Sequence, residues 1–220
     1  MTRVKICGIK TFSDALAAAE AGADLLGFNF YRKSPRYIEP QAVSAIADGL
    51  RAQLGAACPT LVGVFVNEPV SAVSAALTAA GIGAAQLSGD ESEAMLRELR
   101  GIAFKAIRPA SAAEALDDVS YFSACFPADE RLPSLLLDAY HPQLYGGTGE
   151  QASVEVALAV RERVPRMMLA GGLRPDNVAA RVQAVQPWGV DTASGVEPEG
   201  TPGVKDHGKL RAFIEAARRG

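Results

Sequence analysis

The chain has 220 residues, of which 49% are hydrophobic and 21% charged, and its formal net charge is −3. This composition supports a buried core and excludes a disordered chain, and the interspersed charges show no basic stripe of the kind that binds nucleic acid. Strand-like residues begin at Arg3, and no run of about 18 apolar residues occurs, so we expect neither a signal peptide nor a membrane span.

Three cysteines, Cys7, Cys58 and Cys125, are widely spaced and include no CxxC pair. Their odd number and spacing argue against a disulfide scaffold and against a zinc site. We therefore expect a protein of the reducing cytoplasm.

Short apolar stretches typical of β-strands alternate with helical patterns along the whole chain. The strands are predicted at residues 3–7, 24–28, 61–66, 84–87, 103–107, 134–138, 167–170 and 190–193. Segment 118–132 is the hardest to assign to an element. Eight strand–helix units predict one (β/α)8 barrel domain over residues 1–220, with a doubly wound open sheet as the rival fold.

Helix boundaries have sequence signals of their own. Thr11 followed by Asp14 resembles a capping box at the start of the first helix. Left-handed glycine caps are predicted at four helix-to-strand turns. The four are Gly22, Gly81, Gly101 and Gly189. Apolar stripes predict a helix through Val70, Val73, Leu77 and Ala80 and another through Leu210, Phe213, Ile214 and Ala217.

Polar residues at the carboxyl ends of the predicted strands are the candidates for chemistry, because barrel active sites lie there. The first strand ends in Cys7, which shares a face with Lys5 because strand side chains alternate. Cys7 is either a small packed side chain or a reactive thiol. The loop after the second strand has Arg36, an anion clamp if it is not simply part of a solvated turn.

The sixth strand ends in Asp138 after a run of leucines, where a carboxylate is poorly hydrated. It could serve chemistry, cap a turn or pair with Lys5. The glycine-rich loop that follows, with Gly146, Gly147 and Gly149, predicts a close approach to a ligand or a mobile loop.

Two glycine turns follow the seventh and eighth strands, at Gly171 and Gly172 and at Ser194 and Gly195. Backbone N–H groups in these loops bind phosphate in many barrels, although the turns could be merely tight connections. No cluster of ligands at metal spacing occurs, since His141 and His207 are isolated, and no lysine ends the sixth strand to form a Schiff base. We therefore expect no metal.

Several motifs in one order resemble the phosphoribosylanthranilate isomerase family from end to end. They are KICGI at 5–9, GFNFYRKSPRYI at 27–38, VGVFVN at 62–67, LLLD at 135–138, GGTG at 146–149, LAGGL at 169–173, SGVE at 194–197 and GVKD at 203–206.

The resemblance implies a (β/α)8 barrel that converts N-(5-phosphoribosyl)anthranilate to 1-(2-carboxyphenylamino)-1-deoxyribulose 5-phosphate in tryptophan biosynthesis. It implies Cys7 as general base and Asp138 as general acid, with Arg36 on the anthranilate carboxylate. Gly172, Ser194 and Gly195, with their neighbour Gly171, would hold the phosphate. The resemblance implies no cofactor and no metal. We expect this small substrate as the partner, a monomer or a homodimer, and no binding to nucleic acid or to a membrane.

Two departures from the family pattern concern the anthranilate pocket and the loop over it. Ser88 stands where QLHG would have histidine, and the segment GEQASVEVA at 149–157 has none of the aromatic residues that normally follow the GGTG loop. We also expect the site to raise the pKa of Asp138 through its apolar surroundings and to favour the Cys7 thiolate through Arg36 and the phosphate-site dipoles.

Two rival functions differ from the isomerase in testable ways. Related barrel enzymes for phosphorylated sugars tend to use paired aspartates, or lysine with glutamate, where this chain has Cys7. A non-catalytic sugar-phosphate binder would have no need to keep Cys7, Asp138 and Arg36 together.

Overall fold

The fold is described from a computed structural model, which covers residues 1–99, 101–139 and 153–220. Eight parallel strands form a closed barrel in chain order, and β8 pairs with β1. The strands are β1 Arg3–Cys7, β2 Leu25–Asn29, β3 Thr60–Phe65, β4 Ala84–Leu87, β5 Ala103–Ile107, β6 Leu135–Leu137, β7 Met167–Leu169 and β8 Gly189–Thr192. Each differs by at most one residue at either end from its predicted range. The barrel prediction is confirmed, and the open sheet is wrong.

An α-helix follows each strand. The helices are α1 Phe12–Glu20, α2 Pro40–Leu54, α3 Val70–Ala80, α4 Glu93–Glu98, α5 Ala112–Phe122, α6 Val154–Arg163, α7 Val178–Val185 and α8 His207–Arg219. Segment 118–132 contains the end of α5 and a short 3₁₀ helix, Ser123–Cys125. No helix within the described ranges has the length and apolar character needed to cross a membrane.

The alternation of strand side chains separates two apolar cores. Inside the barrel, Leu25 of β2, Phe104 of β5 and Met168 of β7 belong to one buried apolar cluster. Outside it, a larger core lies between the strands and the helices, and both predicted helical stripes contribute to it: Leu210 and Phe213 of α8 are wholly buried. The helix ring therefore leaves the carboxyl ends of the strands as the open rim.

Helix caps follow the prediction with one exception. Thr11 accepts a hydrogen bond from the Asp14 N–H at 3.1 Å, and Gly22, Gly81 and Gly101 have positive φ. The prediction for Gly189 is wrong, because the left-handed cap of α7 is Gln186, at φ +50°. Gly189 instead begins β8, where a Cβ would lie 3.0 Å from the Arg3 carbonyl oxygen, so this glycine permits close strand packing.

Candidate active site

A pocket opens at the carboxyl ends of the strands and contains the three side chains with predicted chemical roles. Cys7 comes from β1, Arg36 from the loop after β2 and Asp138 from the end of β6. Barrel closure thus brings together residues 131 positions apart in the chain. The same pocket is also lined by Asn29, Tyr31, Lys33, Ser34, Pro35, Val64, Val66, Gln86, Ser88, Ala106, Arg108, Asp191 and Ala193.

Cys7 is buried, with 8% of its surface exposed, yet it lines the pocket. Its neighbour on β2 is Gly27, where a Cβ would lie 2.8 Å from the Cys7 sulfur, so the glycine makes room for the thiol. Lys5 lies one layer below, fully buried, and its Nζ donates to Asp191 Oδ1 at 2.8 Å. The two side chains share one face of β1, as the alternation predicted, and the structure shows that this face points into the barrel.

Burial raises the pKa of the Cys7 thiol above its ordinary value. The positive charges of Lys5 and Lys205 oppose this shift, and the negative charge of Asp191 adds to it. The predicted preference for thiolate is therefore wrong for this structure, because desolvation outweighs the nearby cations.

Burial likewise raises the pKa of Asp138 to about 6. The Ala139 N–H donates to Asp138 Oδ1 at 2.8 Å and lowers the pKa, while the carboxylate of Asp191 raises it. The predicted direction is confirmed for the acid. Lys5 forms its ion pair with Asp191 rather than with Asp138, so the alternative role of Asp138 as its partner is wrong.

Local hydrogen bonds shape the loop that contains Arg36. Asn29 Oδ1 accepts from the Tyr31 N–H at 2.9 Å, and Asn29 Nδ2 donates to Ser34 Oγ at 3.1 Å. Ser34 Oγ also accepts from the Arg36 N–H at 3.2 Å. These side-chain bonds form the turn after β2, which returns the chain so that the Ile38 N–H donates to the Asn29 carbonyl at 3.0 Å.

Arg36 lies at the pocket wall in a bidentate ion pair. Its Nε and Nη2 donate to Glu197 Oε1 and Oε2 at 2.8 and 2.7 Å. Lys205 Nζ and the Gly203 N–H donate to the same Oε1, at 2.9 and 3.1 Å. Burial acts to raise the pKa of Glu197, but the bonds from Arg36 and Lys205 hold it below its usual range.

The predicted phosphate residues surround a smaller pocket that adjoins the first. Gly171, Gly172 and Ser194 line it together with Asp138 and Asp191, both of which also line the larger pocket. Gly171 and Gly172 have φ of +88° and +58°.

Gly195 is adjacent in the 3₁₀ helix Ser194–Val196. A Cβ on Gly195 would lie 2.0 Å from the Leu173 carbonyl oxygen. The loops after β7 and β8 can therefore meet only because this residue is glycine.

Gln86 of β4 and Ser88, the residue after the end of β4, line the larger pocket. Gln86 Nε2 donates to Ser88 Oγ at 3.0 Å. Gln86 Oε1 is buried and has no hydrogen-bond partner among the described residues. Serine in place of histidine thus leaves a small polar pair at this wall.

The sequence reasoning missed Asp191, Glu197 and Lys205 as parts of the site. Asp191 had an available signal, since it is an acidic residue at an inward position of a predicted strand. Glu197 and Lys205 occur within the family motifs, but no local pattern indicates that their side chains form an ion pair with each other next to Arg36. The glycine-rich loop at Gly146, Gly147 and Gly149 lies outside the described residues, as does His141.

The fold is a closed (β/α)8 barrel, and its rim pocket contains a thiol, a carboxyl group with a raised pKa and a paired arginine. These features are typical of barrel enzymes that act on small anionic molecules. The N-(5'phosphoribosyl)anthranilate (PRA) isomerase family model matches residues 4–216. The isomerase of Trichlorobacter lovleyi is 43% identical over 218 residues, which cover 99% of this chain and 98% of that one. The chain therefore belongs to the N-(5'-phosphoribosyl)anthranilate isomerase family, as its motifs predicted.

Solved structures agree with this assignment. The isomerase of Thermotoga maritima superposes with a TM-score of 0.84 at 34% identity, covering 99% of both chains. A phosphoribosyl anthranilate isomerase in complex with reduced 1-(o-carboxyphenylamino)-1-deoxyribulose 5-phosphate superposes at 0.81, again at 34% identity and 99% coverage of both.

Proposed function

We propose that this chain converts N-(5-phosphoribosyl)anthranilate to 1-(2-carboxyphenylamino)-1-deoxyribulose 5-phosphate in tryptophan biosynthesis. The reaction is an Amadori rearrangement, in which an aldosylamine becomes an aminoketose by acid–base catalysis. The observation that carries the proposal is the convergence of Cys7, Arg36 and Asp138 on one pocket in a chain of this family.

Asp138 is the proposed general acid for ring opening. The C1–O bond of the furanose breaks as the nitrogen lone pair forms the C1=N bond, and the ring oxygen takes the proton of Asp138. With a pKa of about 6, about one molecule in ten holds that proton at pH 7, compared with about one in a thousand for an ordinary aspartic acid. Burial therefore supplies an acid in a useful protonation state near neutrality.

Cys7 is the proposed general base for the second step. Its thiolate removes the proton from C2, the C2–H electron pair forms a C1=C2 bond, and the imine π electrons return to nitrogen. The resulting enolamine becomes the ketone when C1 gains a proton and the 2-hydroxyl loses one. Because burial raises the pKa of Cys7, the thiolate is the minor form in the free protein, and Lys5 and Lys205 are the cations positioned to stabilise it.

The two anionic ends of the substrate fit the two ends of the site. Backbone at Gly171, Gly172, Ser194 and Gly195 would hold the phosphate, and Arg36 would hold the anthranilate carboxylate. Asp138 lines both pockets, so a substrate bound in this way passes the acid between its phosphate and its aromatic end.

The test is turnover of freshly prepared substrate, followed by the loss of aminobenzoate fluorescence as product forms. We expect activity from the purified chain and growth of a tryptophan auxotroph that lacks the isomerase. If the protein is folded but neither turns over substrate nor restores growth of the auxotroph, the proposal is contradicted and a sugar-phosphate binder is favoured.

A further inference from the structure

Three charged side chains form a buried cluster, in which Arg36 lines the active-site pocket and Glu197 and Lys205 lie behind it. The side chains of Arg36, Glu197 and Lys205 are 13%, 4% and 0% exposed. Glu197 is the centre of the cluster, because it accepts two bonds from Arg36 and one from Lys205. Buried charges of this kind are costly unless each is paired, so the three positions depend on one another.

The bond pattern leaves only one edge of the guanidinium available. Arginine has five N–H groups, and Glu197 occupies the side formed by Nε and Nη2. The remaining donors are both N–H groups of Nη1 and one of Nη2. A substrate carboxylate can therefore form two hydrogen bonds with Arg36 only at the edge of the guanidinium formed by Nη1 and Nη2, in one orientation.

The path of the Arg36 side chain explains how it reaches Glu197. The chain passes over Gly8, the residue after Cys7, where a Cβ would lie 2.5 Å from Arg36 Cδ. Arg36 belongs to the loop after β2 and Glu197 to the loop after β8, and these strands flank β1. The ion pair thus ties two loops together across the end of the strand that contains Cys7.

Lys205 accounts for the net charge of the cluster. Arg36 paired with Glu197 alone would be neutral and would attract a carboxylate weakly. Lys205 Nζ lies 2.9 Å from Glu197 Oε1 and also donates to the Ala193 carbonyl at 3.0 Å, so the cluster has a net charge of +1. An anion can then be bound by Arg36 without displacing Glu197.

We propose that Glu197 is a positioning residue that orients Arg36 toward the carboxylate of the substrate, and that Lys205 keeps the cluster cationic. This inference rests on the proposed function, in which Arg36 binds that carboxylate. It predicts that Glu197 determines how strongly the site prefers a carboxylated substrate over the same molecule without the carboxylate.

The experiment compares two stable ligands, the reduced carboxyphenylamino product analogue and its phenylamino counterpart, which lacks the carboxylate. Their dissociation constants are measured by competition with substrate. For the parent protein we expect the carboxylated ligand to bind roughly 10- to 100-fold more tightly, as a charge-assisted pair would give. Glu197→Gln adds one positive charge to the cluster but removes the bidentate ion pair that fixes Arg36. We expect the ratio to fall below about threefold, with the affinity of the phenylamino ligand unchanged, because the loss of a fixed Arg36 orientation outweighs the added charge.

The matched control is Glu39→Gln, which breaks an exposed pair at 3.4 Å between Glu39 and Arg32 near the same loop. It should leave the ratio at the parental value. If Glu197→Gln does not fold, Glu197→Asp replaces it, since it keeps the charge but is one methylene too short to span both cations.

The outcomes separate the two proposals. A parent protein that prefers the carboxylated ligand, with the same preference in the Glu197 variant, would overturn the positioning role and leave the proposed function standing. An equal loss of affinity for both ligands in the Glu197 variant would also overturn the positioning role, because general structural damage gives that result. A parent protein that turns over substrate but shows no carboxylate preference would refute the role of Arg36 and this inference with it.

Discussion

Replacing Asp138 by asparagine should stabilise the protein above neutral pH while removing its proposed acid. Burial raises the pKa of Asp138 from 3.8 to about 6, a shift of about two units. Each unit corresponds to about 1.4 kcal/mol, so ionising this carboxyl group costs the folded state about 3 kcal/mol relative to the unfolded chain. Asparagine is never ionised, and its side-chain oxygen can still accept the Ala139 N–H.

The sign of the pH dependence follows from the direction of the shift. Because the folded-state pKa of Asp138 lies above the unfolded value, its favourable contribution is complete below about pH 4 and is lost as pH rises through about 6. The variant should therefore match the parent near pH 4 and exceed it by up to about 3 kcal/mol at pH 8.

Urea unfolding at half-unit steps between pH 4 and pH 8 measures this difference, with the slope m checked for equality between the two proteins. Turnover of the variant should fall by two to four orders of magnitude, roughly the contribution of a general acid. A stability difference that is constant across this range, or a variant less stable than the parent at pH 8, would refute the argument from desolvation.

Three further substitutions test other parts of the site. Cys7→Ala should lose orders of magnitude in turnover yet still bind the reduced product analogue, and parental turnover would assign Cys7 to packing alone. Lys5→Met should raise the pKa of Cys7 further, because it removes the positive charge that opposes the effect of burial, so iodoacetamide should alkylate the thiol more slowly at a given pH; an unchanged rate–pH profile would contradict this effect of Lys5 on the thiol. Gly195→Ala should raise KM by at least about tenfold, because its Cβ would meet the Leu173 carbonyl, whereas Gly83→Ala, with open space around it, should leave KM at the parental value.

Local sequence patterns were sufficient to predict the strands and most helix boundaries, and to place the main candidate site residues at the carboxyl ends of the strands. Strand alternation placed Lys5 and Cys7 on one face of β1, and a carboxylate after a run of leucines marked Asp138 as poorly solvated. The prediction of a left-handed cap failed at Gly189, because a glycine near a turn can either cap a helix or allow close packing. The contacts with Arg3 and Met168, which only the structure shows, decide between the two.

Pairings across the barrel required the tertiary structure. Lys5 and Asp191 are 186 residues apart, and they meet because closure of the sheet sets β8 beside β1. Arg36 and Glu197 meet over the end of the same strand, from loops that no local signal connects.

The amino-acid sequence by itself determined the eight-fold alternation, the family and the identity of the residues at the strand ends, since these depend on short-range periodicity and on motifs. Only the tertiary structure decided which charges are paired and whether the pKa of the Cys7 thiol is raised or lowered. The reason is that desolvation and Coulomb interactions depend on every atom within several ångströms, including atoms contributed from the opposite end of the chain.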